Sequence, residues 1–121
     1  MITVQENPFS VDAVLRSVAD PEAGAVVVFI GTVRKERGVK ALDYEAYDEM
    51  AVDWLKTLRD KAVEKFSLTK VSIVHRKGLL KLGERVVIVA VSAPHRQEAF
   101  KGCEWLMNEI KKVIPIWKKE V

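Results

Sequence analysis

Two runs of apolar, mostly β-branched residues constrain the fold of this chain more than any other feature. Residues 24–33 have the sequence GAVVVFIGTV, and residues 84–93 have the sequence ERVVIVAVSA. Valine and isoleucine at this density favour β-strands, and a nearly unbroken apolar run is typical of a strand that is buried on both faces. The sequence therefore predicts two strongly apolar strands, the first of them buried, that other elements must cover.

Apolar residues at spacings of three and four predict two long helices that could supply this cover. The apolar stripe of the first helix, within residues 48–66, consists of Ala51, Trp54, Leu55, Leu58, Ala62 and Phe66. The stripe of the second consists of Ala99, Cys103, Leu106, Ile110 and Val113. Pro94 suits the first turn of the second helix, and Pro115 ends it. A shorter helix through Val18 is predicted from Ser10, a good N-cap residue.

The remaining pattern is that of strands and turns. Residues 41–47 alternate in polarity as a half-buried strand does, residues 70–78 form a further strand, residues 79–83 carry a turn, and residues 116–121 are a short extended segment. The predicted order is α-β-β-α-β-β-α-β. We expect one domain over residues 1–121, with an α+β fold in which two long helices pack against a largely antiparallel sheet.

Composition excludes several classes of protein. No apolar run approaches the roughly 20 residues of a membrane helix, and the first ten residues lack the layout of a secretion signal. One cysteine makes no internal disulfide, so we expect a cytoplasmic location. One cysteine and two histidines argue against a structural zinc site, and there is no glycine-rich phosphate loop. Because Cys103 lies on an apolar stripe, we expect a small buried hydrophobe rather than a sulfur carrier.

Cationic residues stand at the ends of the predicted elements. Arg34 follows the first apolar strand, while His95 and Arg96 follow the second and open a helix, whose free N–H groups favour an anion. Lys111 lies in the last turn of that helix, about 24 Å of helix rise from His95. These two residues can share a site only if the chain folds back after Pro115 or a second subunit supplies one of them.

Other polar or aromatic residues have more ordinary explanations. His75 continues the alternation of a strand toward the core side and is expected to be structural. Trp105 lies on the polar face of its helix, where partial burial by neighbouring side chains and contact with a second subunit are both open. From the residues alone, the chain is predicted to have a basic pocket for a small anion.

Five blocks identify a family. In order, they are GAVVVFIGTVR, YEAYDEMA, VHRKGLLKLGE, VVIVAVSAPHRQEAFKGCEWLMNEIK and VIPIWKKE. Together they closely resemble the catalytic (large) subunit of molybdopterin synthase over residues 24–120. The resemblance implies an α/β-hammerhead fold and a homodimer that binds a small ubiquitin-like sulfur-carrier subunit at each end, which gives a heterotetramer. It also implies an enzyme, a sulfurtransferase of molybdenum cofactor biosynthesis.

The resemblance further implies the reaction. Two sulfurs pass in succession from the thiocarboxylate at the carrier's C-terminal Gly-Gly tail to cyclic pyranopterin monophosphate (precursor Z), forming the dithiolene of molybdopterin. No metal or other cofactor takes part at this step. In relatives the chain often continues past the Lys-Lys-Glu motif and can supply an arginine to the neighbouring pocket, a contribution that we expect to be missing or supplied elsewhere.

The family's site residues carry over by position. Substrate contacts fall on Thr32, Val33, Arg34, His95 and Arg96, the essential lysines match Lys111 and Lys118, and Lys119 and Glu120 complete the motif. Arginines suit a phosphate through forked hydrogen bonds. A lysine among other cations releases its proton more readily, so we expect Lys111 to act as general acid/base and Lys118 to hold the pterin or its developing charge.

Two other functions remain open at this stage. A basic nucleic-acid-binding module would use lysines on phosphates and Trp117 to stack a base, but the net charge is only +3 and aromatic residues make up 7%. A non-catalytic scaffold would bind only a ubiquitin-like partner. The set of Arg34, His95, Arg96, Lys111 and Lys118 argues against a scaffold, which has no use for a phosphate pocket.

Overall fold

A computed structural model describes residues 1–112 and 116–121, and for residues 116–119 it describes the backbone only. The helices are α1 (Val11–Val18), α2 (Asp48–Phe66) and α3 (Arg96–Lys112). The strands are β1 (Ile2–Gln5), β2 (Ala25–Thr32), β3 (Ala41–Ala46), β4 (Lys70–Arg76), β5 (Gly78–Lys81), β6 (Arg85–Ala93) and β7 (Ile116–Glu120). Every element predicted from the sequence is present among them.

Two strands were not predicted. β1 has four residues and pairs in parallel with β4. β5 also has four residues and pairs with β3, so the turn expected over residues 79–83 is confined to Leu82 and Gly83. Runs of four residues are too short to show a reliable period, and pairing with a partner strand decides their conformation.

The strands form two sheets rather than the single sheet that was expected. The larger has the order β1-β4-β6-β2 and the smaller the order β5-β3-β7. Apart from β1 with β4, the strand pairs within the described residues are antiparallel. The prediction of an α+β fold, largely antiparallel, is therefore confirmed. It was wrong on the number of sheets, because β3 pairs with β5 and β7 instead of joining the larger sheet.

Helices cover both faces of the larger sheet. Val71, Ile73, Val89 and Val91 are buried in a core with residues of α2 and α3. Val74, Ile88 and Ala90 are buried on the other side against α1 residues, and the two sets alternate along β4 and β6. β2 was predicted to be buried but is mostly half-exposed, because it lies at the edge of the sheet.

The first residues of α1 and α3 can be compared with the predicted helix starts. The Ser10 side chain accepts a hydrogen bond of 3.1 Å from the Ala13 N–H, which confirms the predicted N-cap of α1. α3 begins at Arg96 rather than at Pro94, and the His95 carbonyl accepts the Ala99 N–H at 3.3 Å. The predicted stripe residue Val113 and the predicted helix end at Pro115 lie outside the described residues.

A third, smaller core joins the two sheets. Val33, Leu80 and Val86 are buried together, with Leu42 and Tyr44 packed against them. Val33 directly follows β2, and Val86 lies at the start of β6. The smaller sheet is therefore held at the end of the larger sheet where β2 ends and β6 begins.

A substitution at Gly24 tests the packing at the opposite end of the larger sheet, where β2 begins and β6 finishes. A Cβ placed at Gly24 would lie 2.4 Å from the Pro94 carbonyl oxygen, whereas a Cβ at Gly31 would meet a side-chain methyl of Val87 at 2.9 Å. We expect Gly24→Ala to lower the free energy of unfolding by about 1–3 kcal/mol because backbone must move. Urea denaturation measures the loss, and Gly31→Ala, where only side chains need to shift, is the matched control. An equal or smaller loss for Gly24→Ala would contradict this account of the junction.

Candidate active site

The two ends of the larger sheet carry different groups of predicted site residues. β2 and β6 run antiparallel, with Thr32 opposite Arg85 and Ala25 opposite Ala93. The end where β2 finishes is called here the Arg34 end, and the end where β6 finishes and α3 starts is called the His95 end. At about 3.3 Å per residue, the nine residues of β6 separate these ends by about 26 Å.

At the Arg34 end, two of the three predicted contact residues present open side chains. Thr32 is exposed, and the Arg34 side chain is 83% exposed, with its Nε 3.1 Å from a Glu36 carboxylate oxygen. Val33 is only 2% exposed. Its N–H donates to the Glu84 carbonyl at 2.9 Å, and its carbonyl accepts the Gly83 N–H at 2.7 Å. Val33 thus packs in the small core, while the side chains of Thr32 and Arg34 are exposed to a ligand, that of Arg34 beside Glu36.

At the His95 end, the site residues lie at the start of a long helix. The His95 side chain is 76% exposed, Arg96 is exposed, and both stand where the free N–H groups of α3 attract an anion. Glu98, one turn on, has a carboxylate oxygen 3.9 Å from His95 Nδ1. Sequence reasoning missed Glu98, although its spacing of three from His95 on a helix is a signal that could have identified it.

Lys111 lies in the last turn of α3 and is exposed. Its neighbour Lys112 forms an ion pair of 2.7 Å with Glu109, but Lys111 forms none with any residue that the structure describes. Because α3 starts at the His95 end and packs along β6 and β2, its last turn lies toward the Arg34 end. The expectation that one straight helix separates Lys111 from His95 is confirmed.

The terminal motif lies in β7, which pairs with β3. Lys118 is opposite Tyr44, Lys119 is opposite Asp43, and Glu120, which is exposed, is opposite Leu42. The side chains of Lys118 and Lys119 lie outside the described residues. Because β7 is paired with β3, the location of β3 also gives the location of the β7 backbone.

An aromatic contact fixes where β3 sits. The Tyr44 and His75 rings meet edge to face, with centroids 5.5 Å apart, and His75 is opposite Val87 near the start of β6. This contact places β3, and the backbone of Lys118 with it, at the Arg34 end. Tyr44 is a second residue that sequence reasoning missed as part of the site's support.

The predicted site residues thus fall into two groups within one chain. The Arg34 end has Thr32, Arg34, Lys111 and the backbone of residues 118–120, and the His95 end has His95 and Arg96. One chain does not bring these groups together.

The buried histidine and arginine of β4 are structural. His75 is 7% exposed, its Nδ1–H donates to the Arg76 carbonyl at 2.7 Å, and burial lowers its pKa. The Arg76 guanidinium donates to the Glu6 and Arg85 carbonyls and to Glu84. The Lys81 N–H, and then Arg76, lower the pKa of Glu84. The prediction of a structural His75 is confirmed.

Cys103 is also buried, at 3% exposure, and burial raises the pKa of its thiol to about 11. A thiol with this pKa stays protonated at neutral pH and is a poor nucleophile. The expectation of a small buried hydrophobe is confirmed. No group of metal-ligating side chains and no helix suited to crossing a bilayer occurs in the part of the chain that the structure describes.

Burial of His75 makes stability depend on pH. Because its pKa is lowered from about 6.5 in the folded state, the unfolded chain takes up a proton first as the pH falls. We expect the free energy of unfolding to be highest above pH 6.5 and to fall below it, by at most about 1.4 kcal/mol per pH unit. Urea denaturation at pH 7.5 and 5.5 measures this slope, which His75→Gln should reduce while keeping a donor for Arg76. Equal slopes in both proteins would contradict the prediction.

Known proteins resemble this chain over nearly its whole length. The family model described as MoaE protein matches residues 4–113. The molybdopterin synthase catalytic subunit of Pyrococcus abyssi is 42% identical over 93% of this chain and 78% of its own length. A crystal structure of molybdopterin synthase from Staphylococcus aureus superposes with a TM-score of 0.95 at 39% identity, covering 99% of this chain and 90% of that one.

A further solved structure shares the fold at lower identity. It is the protein-protein complex of subunits 1 and 2 of molybdopterin-converting factor from Helicobacter pylori, with a TM-score of 0.82 at 21% identity over 98% of this chain and 82% of that one. The fold, the family model and the relatives agree over the same residues. The chain belongs to the MoaE protein family, the family of molybdopterin synthase catalytic subunits.

Proposed function

We propose that this chain transfers sulfur from a thiocarboxylated, ubiquitin-like carrier to cyclic pyranopterin monophosphate and so forms the dithiolene of molybdopterin. The observation that carries the proposal is the set of exposed cations, Arg34, Lys111, His95 and Arg96, at the positions where a member of this family needs them. The Pyrococcus abyssi relative named above is a catalytic subunit of molybdopterin synthase, so we assign this chain as the enzyme rather than as a carrier.

The phosphate of the substrate is the natural ligand of the exposed cations. A guanidinium such as that of Arg34 or Arg96 donates two parallel hydrogen bonds to a phosphate, which fixes its orientation as well as its position. The N–H groups at the start of α3 add donors and the positive end of a helix dipole beside His95. These groups bind the substrate, and Lys111 and Lys118 are assigned to the reaction itself.

Lys111 is suited to move the proton. Transfer from a thiocarboxylate breaks the bond between carbonyl carbon and sulfur, and the sulfur replaces an oxygen substituent on the substrate carbon that it attacks. Water oxygen ends on the carrier as a carboxylate. The carbonyl needs a proton donor as charge develops on it, and the water needs a base. The exposed ammonium of Lys111, in no ion pair with the described residues, can donate a proton to the carbonyl, and the neutral amine that this leaves can accept a proton from the water.

The terminal motif, residues 118–120, lies at the Arg34 end as well. β7 is held against β3, and the Val121 carbonyl accepts the Lys40 N–H at 3.0 Å, so that residues 118–120 have a fixed backbone beside the Arg34 end. We assign Lys118 to the pterin or its developing charge, with Lys119 and Glu120 completing the wall. Thr32 contributes its exposed side chain. The buried Val33 anchors the backbone and so positions Thr32 and Arg34 on either side of it.

The partners follow from the same reaction. The carrier is a small ubiquitin-like subunit whose C-terminal Gly-Gly thiocarboxylate must reach Lys111, and the Helicobacter pylori neighbour is itself a complex of two different subunits. A homodimer is needed because the His95 end lies about 26 Å from the Arg34 end within one chain. With a carrier at each site, the assembly is a heterotetramer.

The test is product formation by Lys111→Ala. This protein is mixed with thiocarboxylated carrier and cyclic pyranopterin monophosphate, and dithiolene product is measured over time. We expect the variant to lose about 100- to 10,000-fold in rate, the usual contribution of a positioned acid or base. The matched control is Lys112→Ala, which removes the next lysine, one that is paired with Glu109, and should keep nearly the wild-type rate.

The other outcomes separate the alternatives. Equal activity of wild type and Lys111→Ala would remove Lys111 from the role assigned to it. No product from the wild type, with carrier still bound, would favour the scaffold. Binding of nucleic acid that weakens steeply with added salt, in a protein that forms no product, would favour the nucleic-acid module.

A subunit-mixing experiment tests the shared site. Arg34→Ala and His95→Ala chains are each expected to be nearly inactive alone. If one site takes Arg34 from one chain and His95 from the other, a randomly mixed dimer population has about a quarter of its sites intact and recovers about a quarter of the wild-type rate. Co-expressed chains carrying two different affinity tags allow the mixed dimer to be isolated. A purified mixed dimer no more active than either parent would contradict the shared site.

A further inference from the structure

We propose that Glu98 positions His95 for substrate binding. In this arrangement the Glu98 carboxylate accepts a hydrogen bond from the His95 Nδ1–H, which turns the imidazole so that its second nitrogen, Nε2, meets the phosphate of the substrate. Glu98 is then a positioning residue that acts through His95 and does not itself contact the substrate. This role rests on the proposed function, because it requires His95 to contact the phosphate.

The start of α3 places the two side chains next to each other. The His95 carbonyl accepts the Ala99 N–H at 3.3 Å, so His95 is the N-cap of α3 and Glu98 is its third residue. Side chains three positions apart lie on the same face of a helix. A glutamate at this position ordinarily bonds back to the backbone N–H of the N-cap residue, or complements the helix dipole. In both of these ordinary roles the His95 ring takes no part.

One oxygen of Glu98 has an environment that these roles do not explain. Oε2 is almost completely covered and accepts no hydrogen bond from any residue that the structure describes, although 38% of the Glu98 side chain is exposed. The same oxygen lies 3.9 Å from His95 Nδ1. Oε2 therefore forms no capping hydrogen bond, and the ring nitrogen of His95 is a donor placed to satisfy it.

A small rotation of the His95 ring completes the contact. A hydrogen bond from an imidazole nitrogen to a carboxylate is about 2.7–2.9 Å long, so the two atoms must approach by about 1 Å. The His95 side chain is 76% exposed and has room to turn. A covered acceptor without a donor is unfavourable, and hydrogen bonds at functional sites often tighten only when the ligand binds. The contact is therefore poised to form with bound substrate.

The charge of Glu98 also fits this role. A carboxylate beside an anion site repels a phosphate unless a cation lies between them. In its cationic form the imidazole donates through both nitrogens, Nδ1–H to Glu98 and Nε2–H to the phosphate. Glu98 thus decides which nitrogen is left for the ligand, as a carboxylate does for a metal-binding histidine. Without Glu98, the exposed ring must be ordered by the phosphate alone, at a greater cost in side-chain entropy.

Substrate binding by Glu98 variants tests the role. We expect Glu98→Ala to weaken binding of cyclic pyranopterin monophosphate about 5- to 20-fold, because a charge-assisted contact is lost. Glu98→Gln should lose less, since its amide oxygen still accepts from the Nδ1–H. In the assay with thiocarboxylated carrier the loss should appear in KM, with kcat changed by less than about 3-fold. Binding by Glu98→Ala that is unchanged or tighter, as simple repulsion of the phosphate predicts, overturns the role.

A double-substitution cycle separates positioning from a structural effect. In a His95→Ala chain, Glu98→Ala should cause no further loss of binding, because Glu98 acts through the missing ring. Asp12→Ala is the matched control, since Asp12 is the acidic residue in the first turn of α1 and should bind substrate as the wild type does when replaced. A loss from Glu98→Ala of the same size with and without His95 overturns the role.

The ring of His95 supplies a readout that needs no pterin. The chain has two histidines, and His75, whose Nδ1–H donates to the Arg76 carbonyl, is an internal reference. Nuclear magnetic resonance of isotope-labelled histidine, with inorganic phosphate as the probe, reports the state of each ring nitrogen. We expect His95 to show a hydrogen-bonded Nδ1–H in the wild type and none in Glu98→Ala. Identical His95 spectra in the two proteins overturn the contact.

The results distinguish this role from the proposed function. Weaker pterin binding by Glu98→Ala, in a protein that binds the pterin but forms no product, supports the positioning role and contradicts the function. A wild type that neither binds the pterin nor forms product also contradicts the function, and the His95 spectrum with phosphate then decides whether Glu98 holds the ring.

Discussion

Burial of both faces of β6 is the constraint on which the rest of the structure depends. From Ile88 to Ala93 every residue of this strand is buried, between β4 and β2 in the sheet and between α1 and the α2–α3 layer across it. Each fully buried valine or isoleucine contributes about 1.5–3 kcal/mol. The strand therefore fixes the positions of its neighbours, and its two ends become the two ends at which the cationic residues stand.

The smaller sheet depends on a second, more local set of contacts. Val33, Leu80 and Val86 bury one another, and the edge-to-face contact of Tyr44 with His75 holds β3 to the larger sheet. The Tyr44 hydroxyl has a pKa raised by burial, and His75 has one lowered by burial, so both rings are neutral near pH 7. The joint between the two sheets is therefore neutral near pH 7.

Three cations assigned to the site are exposed, whereas the buried guanidinium of Arg76 is satisfied by hydrogen bonds. Arg76 is buried with its guanidinium bonded to carbonyls and to Glu84, and it supports the meeting of β4 with the N-terminal strand. Arg34, Arg96 and Lys111 instead face solvent, and of their charges only that of Arg34 is engaged in an ion pair with a described residue. Exposed cations are open to an anionic ligand, and this division separates the groups assigned to function from those that hold the structure.

The sequence by itself determined eight of the ten elements that the structure describes, their order, most of the buried stripe of each long helix and the roles of Cys103 and His75, because these follow from local periodicity and side-chain chemistry. It also located Arg34, His95 and Lys111 at element ends. Only the tertiary structure decided that the strands form two sheets, that β2 lies at an edge, and that Arg34 and His95 stand at opposite ends of one chain. The order of the strands, and the distance between Arg34 and His95, arise from pairing between residues far apart in sequence. No local sequence pattern indicates which strands will pair.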